Sequence, residues 1–311
     1  RNLFHPNVVI SLRLCNNFKM ITKGEFTSRA LAMGVSDVRF AFAQGELAFR
    51  EAERFDIAVR LPGAACIAVL FTAYLPAEEA VPDGFMPLSA YYVASNTGYH
   101  AAKALTVWLR EEGAAARHDT ELPARAAALR TGGFIGDNGF YYHERLGSYV
   151  AIQTLLTDAF APDAYDMGKT ACTHCGACAG ACPSAAPKDI PRCLRRHINH
   201  EVPEVLRGDV YQILGCERCQ SACPLNPPGR SPAHLFALGE LLSGRATDAV
   251  RSLAGSNFVR PGRLASQAAL YAAVKGDAGV LPRLRFLAQN ADEPVRTHAR
   301  WAYEKISGGQ P

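Results

Sequence analysis

The sequence predicts a mixed α+β or α/β protein: a layered N-terminal α/β domain, a short cysteine-dense segment and a C-terminal cap of helices. Three observations predict it. Helical patterns alternate with buried-strand patterns up to about residue 165, eight of the ten cysteines fall within 172–223, and only helical patterns follow the proline-rich stretch PLNPPGRSP at 224–232. A chain of 311 residues can hold two or three units with cores of their own. The expected boundaries are 20–165, 166–225 and 226–311. Residues 1–19, ahead of Met20, show no clear period and no signal-peptide pattern, and are expected to be a leader outside the fold.

Each element has its reason. GEFTSRALAMG (24–34) reads as a helix closed by glycine, a common helix stop. VRFAFA (38–43) follows as a strand, and GELAFREAERF (45–55) has the near-3.6 period of an amphipathic helix. AACIAVLFTAYL (64–75) is a continuous apolar run ended by Pro76, the pattern of a strand buried on both faces, with Cys66 as inert packing inside it. A long helix over 88–113 sets Leu105, Trp108 and Leu109 on one face. A strand at 116–118, a helix at 122–131, a glycine-rich turn GGFIGDNG (132–139) and a strand SYVAIQTLL (148–156) complete the domain. Beyond 232 the helices are carried by GRLASQAALYAAVKG, AGVLPRLRFLAQ and PVRTHARWAYEKI; DEPVRTHARWAY within the last resembles the HEAT helical repeat.

Composition excludes some classes of function. Apolar residues make up 49% and charged residues 20%, as in an ordinary globular chain, and no apolar run of eighteen residues exists, so no membrane span is expected. Crowded cysteines point to metal in a reducing compartment, which predicts a cytoplasmic location; scattered pairs would have pointed to disulfides. From Asn226 onward eleven Lys/Arg face six Asp/Glu, a surplus of +5 against +4 for the whole chain, so the positive field belongs to the C-terminal piece. An anionic partner and a merely solvated helical face both explain that surplus.

The cysteine spacing is more specific. Cys172, Cys175, Cys178 and Cys182-Pro183 fit C-x2-C-x2-C-x3-C-P, the run that holds [4Fe–4S] clusters, in which the fourth cysteine serves a second cluster. Cys216, Cys219 and Cys223-Pro224 match the last three positions of the same run, and the first falls on Ile213, which cannot bind iron. Cys193 is the one spare thiol between the two runs and restores the count to eight. The expected sets are Cys172, Cys175, Cys178 and Cys223 for one cluster, and Cys182, Cys193, Cys216 and Cys219 for the other. Zinc would more often use separated C-x2-C pairs. His197 and His200, three apart, read as a metal pair or as surface histidines beside the clusters.

At CTHCGACAGACP, RCLRRHINHEVPEVLRGDVYQILGCERCQSACPLN and GSNFVRPGRLASQAALYAAVKGD the chain resembles the epoxyqueuosine reductases. These are corrinoid-dependent iron–sulfur enzymes, related in architecture to reductive dehalogenases, that complete queuosine in the tRNA wobble position. The resemblance implies two [4Fe–4S] clusters, cobalamin, a flavodoxin- or ferredoxin-class electron donor and a tRNA substrate. It places a proton-donating aspartate at Asp119, a corrinoid-contacting helix start at Tyr99-His100, and a turn beneath the cofactor at Gly133, Gly136 and Asn138. A buried carboxyl at Asp119 would have a raised pKa, as an acid needs. Arg260, Arg263, Arg296 and Arg300 of the cap would meet tRNA phosphates.

The chain also departs from that pattern. An Arg-Asp pair ahead of Tyr-His is here Asn96-Thr97-Gly98, the glycine-rich turn is a residue shorter and lacks its tryptophan, and Thr120-Glu121 follows the aspartate in place of Ser-Ala-Pro. These changes surround the corrinoid and the substrate and spare the clusters. Two other functions therefore stand beside the tRNA reductase: an electron-transfer protein without a corrinoid, and a corrinoid reductase of a small molecule. Asp119 likewise has a second reading, as the cap of the helix that follows.

Overall fold

The computed structural model describes residues 21–48, 54–77, 80–166, 171–186, 192–197 and 200–308; the expected leader lies outside them. Thr22 caps α1 (Lys23–Ala32), its Oγ1 accepting from Glu25 N at 3.1 Å, and Gly34 at φ 88° turns the chain into β1 (Asp37–Phe42). β2 (Glu46–Ala48) and β3 (Arg54–Asp56) pair antiparallel, with Leu47 opposite Phe55. This corrects the helix expected over 45–55 at both of its ends; its middle, 49–53, lies outside the described residues. Leu47 is buried and Phe55 packs on the same core, and that contact across the strand pair outweighs the helix propensity of the Glu, Ala and Arg around them.

After α2 (Ile57–Arg60) comes β4 (Cys66–Ala73), the strand expected to be buried on both faces. Further on lie β5 (Phe85–Pro87), α3 (Ala90–Glu111), β6 (Ala116–His118), α4 (Ala124–Leu129), β7 (Phe134–Ile135), β8 (Tyr141–Tyr142) and β9 (Val150–Thr157). β1, β4, β9 and β6 form one sheet in that order, antiparallel throughout. Alternate β4 residues feed two cores: Cys66, Ala68 and Leu70 face Phe26, Leu105 and Leu109 of α1 and α3, while Ile67, Val69 and Phe71 face Leu47, Ile57, Leu122 and Ala127. Burial pushes the Cys66 thiol up to about 12, the inert state expected of it.

Among its described residues the cysteine segment contributes short helices: α5 (Ala177–Ala181), α6 (Leu194–His197), α7 (Glu204–Arg207) and α8 (Arg218–Ser221). Beyond it β10 (Leu235–Ala237) pairs back onto β5, which corrects the all-helical expectation after 232. The proline-rich stretch delivers the chain to that free edge: Ser231 N donates to Pro76 O at 3.0 Å just ahead of the pairing. The remaining helices are α9 (Leu238–Ser243), α10 (Thr247–Ala254), α11 (Pro261–Lys275), α12 (Leu281–Asn290) and α13 (Val295–Ser307). They share one core with the cysteine segment, in which Leu194, Leu206, Ile213 and Leu214 pack among Leu241, Leu264, Leu270 and Leu287. His298 of α13 pins the two together. Its buried ring accepts from Val202 N at Nε2 (3.0 Å) and is bonded to Ser266 Oγ through Nδ1. No helix among the described residues is long and apolar enough to cross a membrane.

Candidate functional site

Left-handed corners shape both cysteine runs. His174 (φ 53°) and Gly176 (φ 76°) bend the first run into α5, while Leu214 (φ 55°) and Gly215 (φ 79°) bring the chain to Cys216 and α8. α5 packs against α8, so the runs face each other. Burial pushes the Cys219 thiol up to about 12, and the neighbouring Cys216, Cys193, Cys182 and Cys178 act in the same direction. Cys216, at about 11, is raised by burial and then by Cys193 and Cys182, against Arg218. Cys178 feels burial first, then Asp137 and Cys172. Thiols gathered in this way are a good donor set for a cationic metal cluster, which takes the thiolate and displaces the proton. Cys175 of the first run is exposed.

The hairpin of β7 and β8 lies against these runs. Asn138 donates to Tyr142 Oη at 2.9 Å and to Cys219 O at 3.4 Å, and burial first, then Cys223, push the Tyr142 hydroxyl well above the ordinary tyrosine value. Asp137 Oδ2 and His174 Nδ1 are 2.9 Å apart beside Cys172. The two glycines expected beneath a cofactor are required by the hairpin itself. A Cβ at Gly133 would stand 2.3 Å from Tyr142 O, and one at Gly136 would stand 2.6 Å from Tyr142 Cε2. The tyrosines fill the hollows that the glycines leave.

Asp119, Tyr99 and His100 meet elsewhere. A cavity of about 730 Å3 opens between α3, the end of β6, β9 and the turn after α10, lined among others by Asn96, Tyr99, His100, Asp119, Gln153 and Phe258. Its size suits a small-molecule or nucleoside ligand, for which pockets of roughly 300–1,000 Å3 are usual. Asn96 donates to Ser252 O at 3.2 Å and so ties α3 to α10 across the rim. His118 Nε2 donates to Gln153 Oε1 at 2.9 Å and its ring lies 5.1 Å from that of Tyr99; burial, opposed by Gln153 and Asp119, keeps it neutral below the ordinary histidine value. A second cavity of about 670 Å3 near Thr72, Val93 and Pro227 is lined by none of the expected site residues.

The protonation expected of Asp119 is corrected. Burial alone would raise its pKa, but Arg60, the Glu121 N–H and Arg117 together outweigh burial and hold the carboxyl below its ordinary value. The capping role also shifts. α4 begins at Ala124 after Pro123 with no side-chain cap, while Asp119 Oδ1 accepts from Glu121 N (3.0 Å) and Leu122 N (3.2 Å), capping the turn before the helix.

No family profile matches the chain, and no curated protein sequence does. Solved structures do. An epoxyqueuosine reductase from Bacillus subtilis, with its catalytic loop swung out of the active site, matches at 24% identity over 91% of this chain and 90% of its own, with a TM-score of 0.71. The enzyme from Streptococcus thermophilus matches at 21% identity over 93% and 91%, also at 0.71. An epoxyqueuosine reductase with a tRNA-Tyr stem loop matches at 24% identity over 91% and 90%, at 0.68. The chain has the epoxyqueuosine reductase fold.

Within that fold the four expected phosphate contacts are not equivalent. Arg296 Nε donates to Glu293 Oε1 at 2.9 Å, whereas Arg263, its pKa lowered by burial and then by Arg260, has a like charge for a neighbour. Arg300 is exposed on α13. His197 and His200 join no group of three ligand atoms within 4.8 Å among the described residues. Sequence reasoning missed Arg60 and Arg117, the partners of Asp119, and Glu217, a buried carboxyl beside Cys216 that accepts from Ser89 Oγ at 2.7 Å and is raised chiefly by burial. Only position 117, two before Asp119 on a short strand, carried a local signal.

Proposed function

We propose that this chain is an iron–sulfur-dependent oxidoreductase that removes the oxygen of an epoxide on a tRNA nucleoside, with epoxyqueuosine as substrate and queuosine as product. The carrying observation is that the likeness to epoxyqueuosine reductases runs through the sheet domain, the cysteine segment and the helices alike, covering about nine-tenths of each chain.

Cys172, Cys175, Cys178 and Cys223 are read as the ligands of one [4Fe–4S] cluster, and Cys182, Cys193, Cys216 and Cys219 as those of the other. Cys193 and Cys182 both act on Cys216 and on Cys219, which supports the second set, and Cys172 acts on Cys178, which supports the first; Cys178 also acts on Cys219, so the two sets adjoin. A tetrahedral zinc site with 2.3 Å bonds would bring its sulfurs to about 3.8 Å. Among the described residues no three thiols lie within 4.8 Å of one another; the one such group of possible ligands is Asp137, Cys172 and His174. When bound, such clusters supply electrons one at a time at low potential. Converting an epoxide to an alkene consumes two electrons and two protons and releases water. Asp119, at the cavity, is the candidate donor of a proton to the departing oxygen. A donor of the flavodoxin or ferredoxin class would supply the electrons, and the tRNA stem loop held by one similar structure supports tRNA as the carrier of the substrate.

The residues that the resemblance gives to cobalamin are divided. Tyr99 and His100 line the cavity, while Gly133, Gly136 and Asn138 belong to a hairpin that fills its own hollows. No step is therefore routed through a corrinoid. The same observation favours a second reading, a relay that passes electrons to a partner enzyme. Anaerobic reconstitution with cobalamin, gel filtration, and nucleoside analysis of tRNA from a queuosine-deficient host separate the two. Queuosine in the host expressing this chain supports the reductase; persistent epoxyqueuosine with eight irons retained leaves the relay.

A further inference from the structure

Five hydrogen bonds converge on the Asp119 carboxylate. Arg60 gives two in a fork, Nε to Oδ2 at 2.8 Å and Nη2 to Oδ1 at 2.9 Å. Arg117 Nε adds one to Oδ2 at 2.9 Å, and the N–H groups of Glu121 and Leu122 add two to Oδ1 at 3.0 and 3.2 Å. An ionised carboxylate offers roughly four lone-pair sites in all. This one is saturated, and two guanidinium groups fix it as the anion. Held so, it has neither a proton to give nor an acceptor site to spare. Yet Arg60 Nη2 also donates to the Glu121 carboxylate, two residues along the same turn. Asp119 is 1% exposed and Glu121 is 69% exposed. Arg60 therefore has a second anion at hand.

The geometry points to Arg60 as a latch on Asp119: it parks the carboxyl as a fully bonded anion, and Glu121 keeps the guanidinium when the Asp119 side chain turns away from it towards the cavity. The assignment rests on Asp119 being the acid of the reaction proposed above. Stranding a largely buried guanidinium without an anion would be costly, so an exchange between two carboxylates is the low-cost way to free one of them. Once clear of Arg60 and Arg117, the carboxyl is left with burial as the main influence, and burial moves it towards the protonated form. The charged or titratable groups around it are Arg60 on α2, Arg117 and His118 on β6, Glu121 on the turn, His100 on α3, and the Asp248–Arg251 ion pair on α10. Arg60 acts only through Asp119, which makes it a positioning residue.

The test uses the cluster-loaded protein carrying Arg60→Gln, Arg60→Lys or Glu121→Gln. Hydrogen exchange at the Glu121 and Leu122 amides reports whether the turn is parked, with no turnover needed. In Arg60→Gln those amides should lose about tenfold in protection while iron content stays at the wild-type level. Arg60→Lys, which keeps the charge without the fork, should fall between. The alkaline limb of epoxyqueuosine turnover should move up by roughly one pH unit in Arg60→Gln, because the free carboxyl keeps its proton longer. Glu121→Gln, lacking the second anion, should stay parked and turn over more slowly. Unchanged amide protection in both Arg60 variants overturns the latch, and so does an unmoved alkaline limb. If Arg60→Gln misfolds, Arg60→Lys decides. Released amides in a protein that never turns over epoxyqueuosine would uphold the latch and remove the substrate reading.

Discussion

The cysteine segment and the Asp119 cavity are built in opposite ways. Eight thiols come from 52 consecutive residues and are aimed by corners one or two residues away, such as Gly176 and Gly215. The cavity draws Tyr99 from α3, Asp119 from the end of β6, Gln153 from β9 and Phe258 from beyond α10. Metal ligation imposes a local spacing because several ligands must reach one small group. An acid needs only one side chain, and its chemistry is set by whatever the fold brings beside it. The first region should therefore fail by losing metal and the second by losing chemistry alone. The largest effect tests the first half. Cys219→Ser, which removes a half-buried thiol, should cut iron from about eight to about four per chain and abolish turnover. Eight irons retained in that variant would break the ligand set.

The second half is tested by Asp119→Asn. Iron should stay at eight while turnover falls by roughly 10²–10⁴, the usual worth of a general acid. The variant loses its charge pairing with Arg60 and Arg117, so a stability loss of about 1–3 kcal/mol is expected in thermal melting. Undiminished turnover would confine Asp119 to the turn that it caps and erase the contrast between the regions.

Parts of the sheet domain were legible in advance, and the reasons are physical. The doubly buried β4 and the helix α3 each write their constraint into neighbouring residues. The β2–β3 hairpin was misread because Leu47 and Phe55 satisfy a helical period and also face each other across a strand pair; only the core against which they pack decides. β10 was missed because its three residues are a strand only through the free edge of β5. The protonation of Asp119 was misjudged for the same reason. Burial was foreseeable from its neighbours in sequence, but Arg60 lies 59 residues away and reverses the sign.

His298 joins the cysteine segment to the helices and gives the contrast a pH dependence. Burial first, and then the charge of Arg207, lower its pKa to about 4. The unfolded chain takes up this proton near pH 6.5, so the stability from neutral His298 is complete above that value and is lost as the pH falls towards 4. At pH 5 the loss amounts to about 2 kcal/mol. Thermal melting of wild type and His298→Gln between pH 7.5 and 5 measures it. The variant should be less stable at pH 7.5, with the gap narrowing as acid is added. A constant gap would mean that His298 binds its proton equally well in the folded and unfolded chain, and that its Nε2 does not accept from Val202.

The smallest effect separates the arginines of the cap. Arg296 is already paired with Glu293, while Arg260 and Arg263 crowd each other and gain from any anion placed between them. If the cap meets tRNA, Arg260→Ala with Arg263→Ala should weaken binding and flatten the dependence of log affinity on log salt by roughly one for each phosphate contact removed. Arg296→Ala should alter both less, because Glu293 already engages the guanidinium and leaves less of it for phosphate. Iron content should not change in either variant, since these side chains lie outside the cysteine segment. Equal flattening by Arg296→Ala would show that the exposed face of α13 meets the nucleic acid as closely as the start of α11 does.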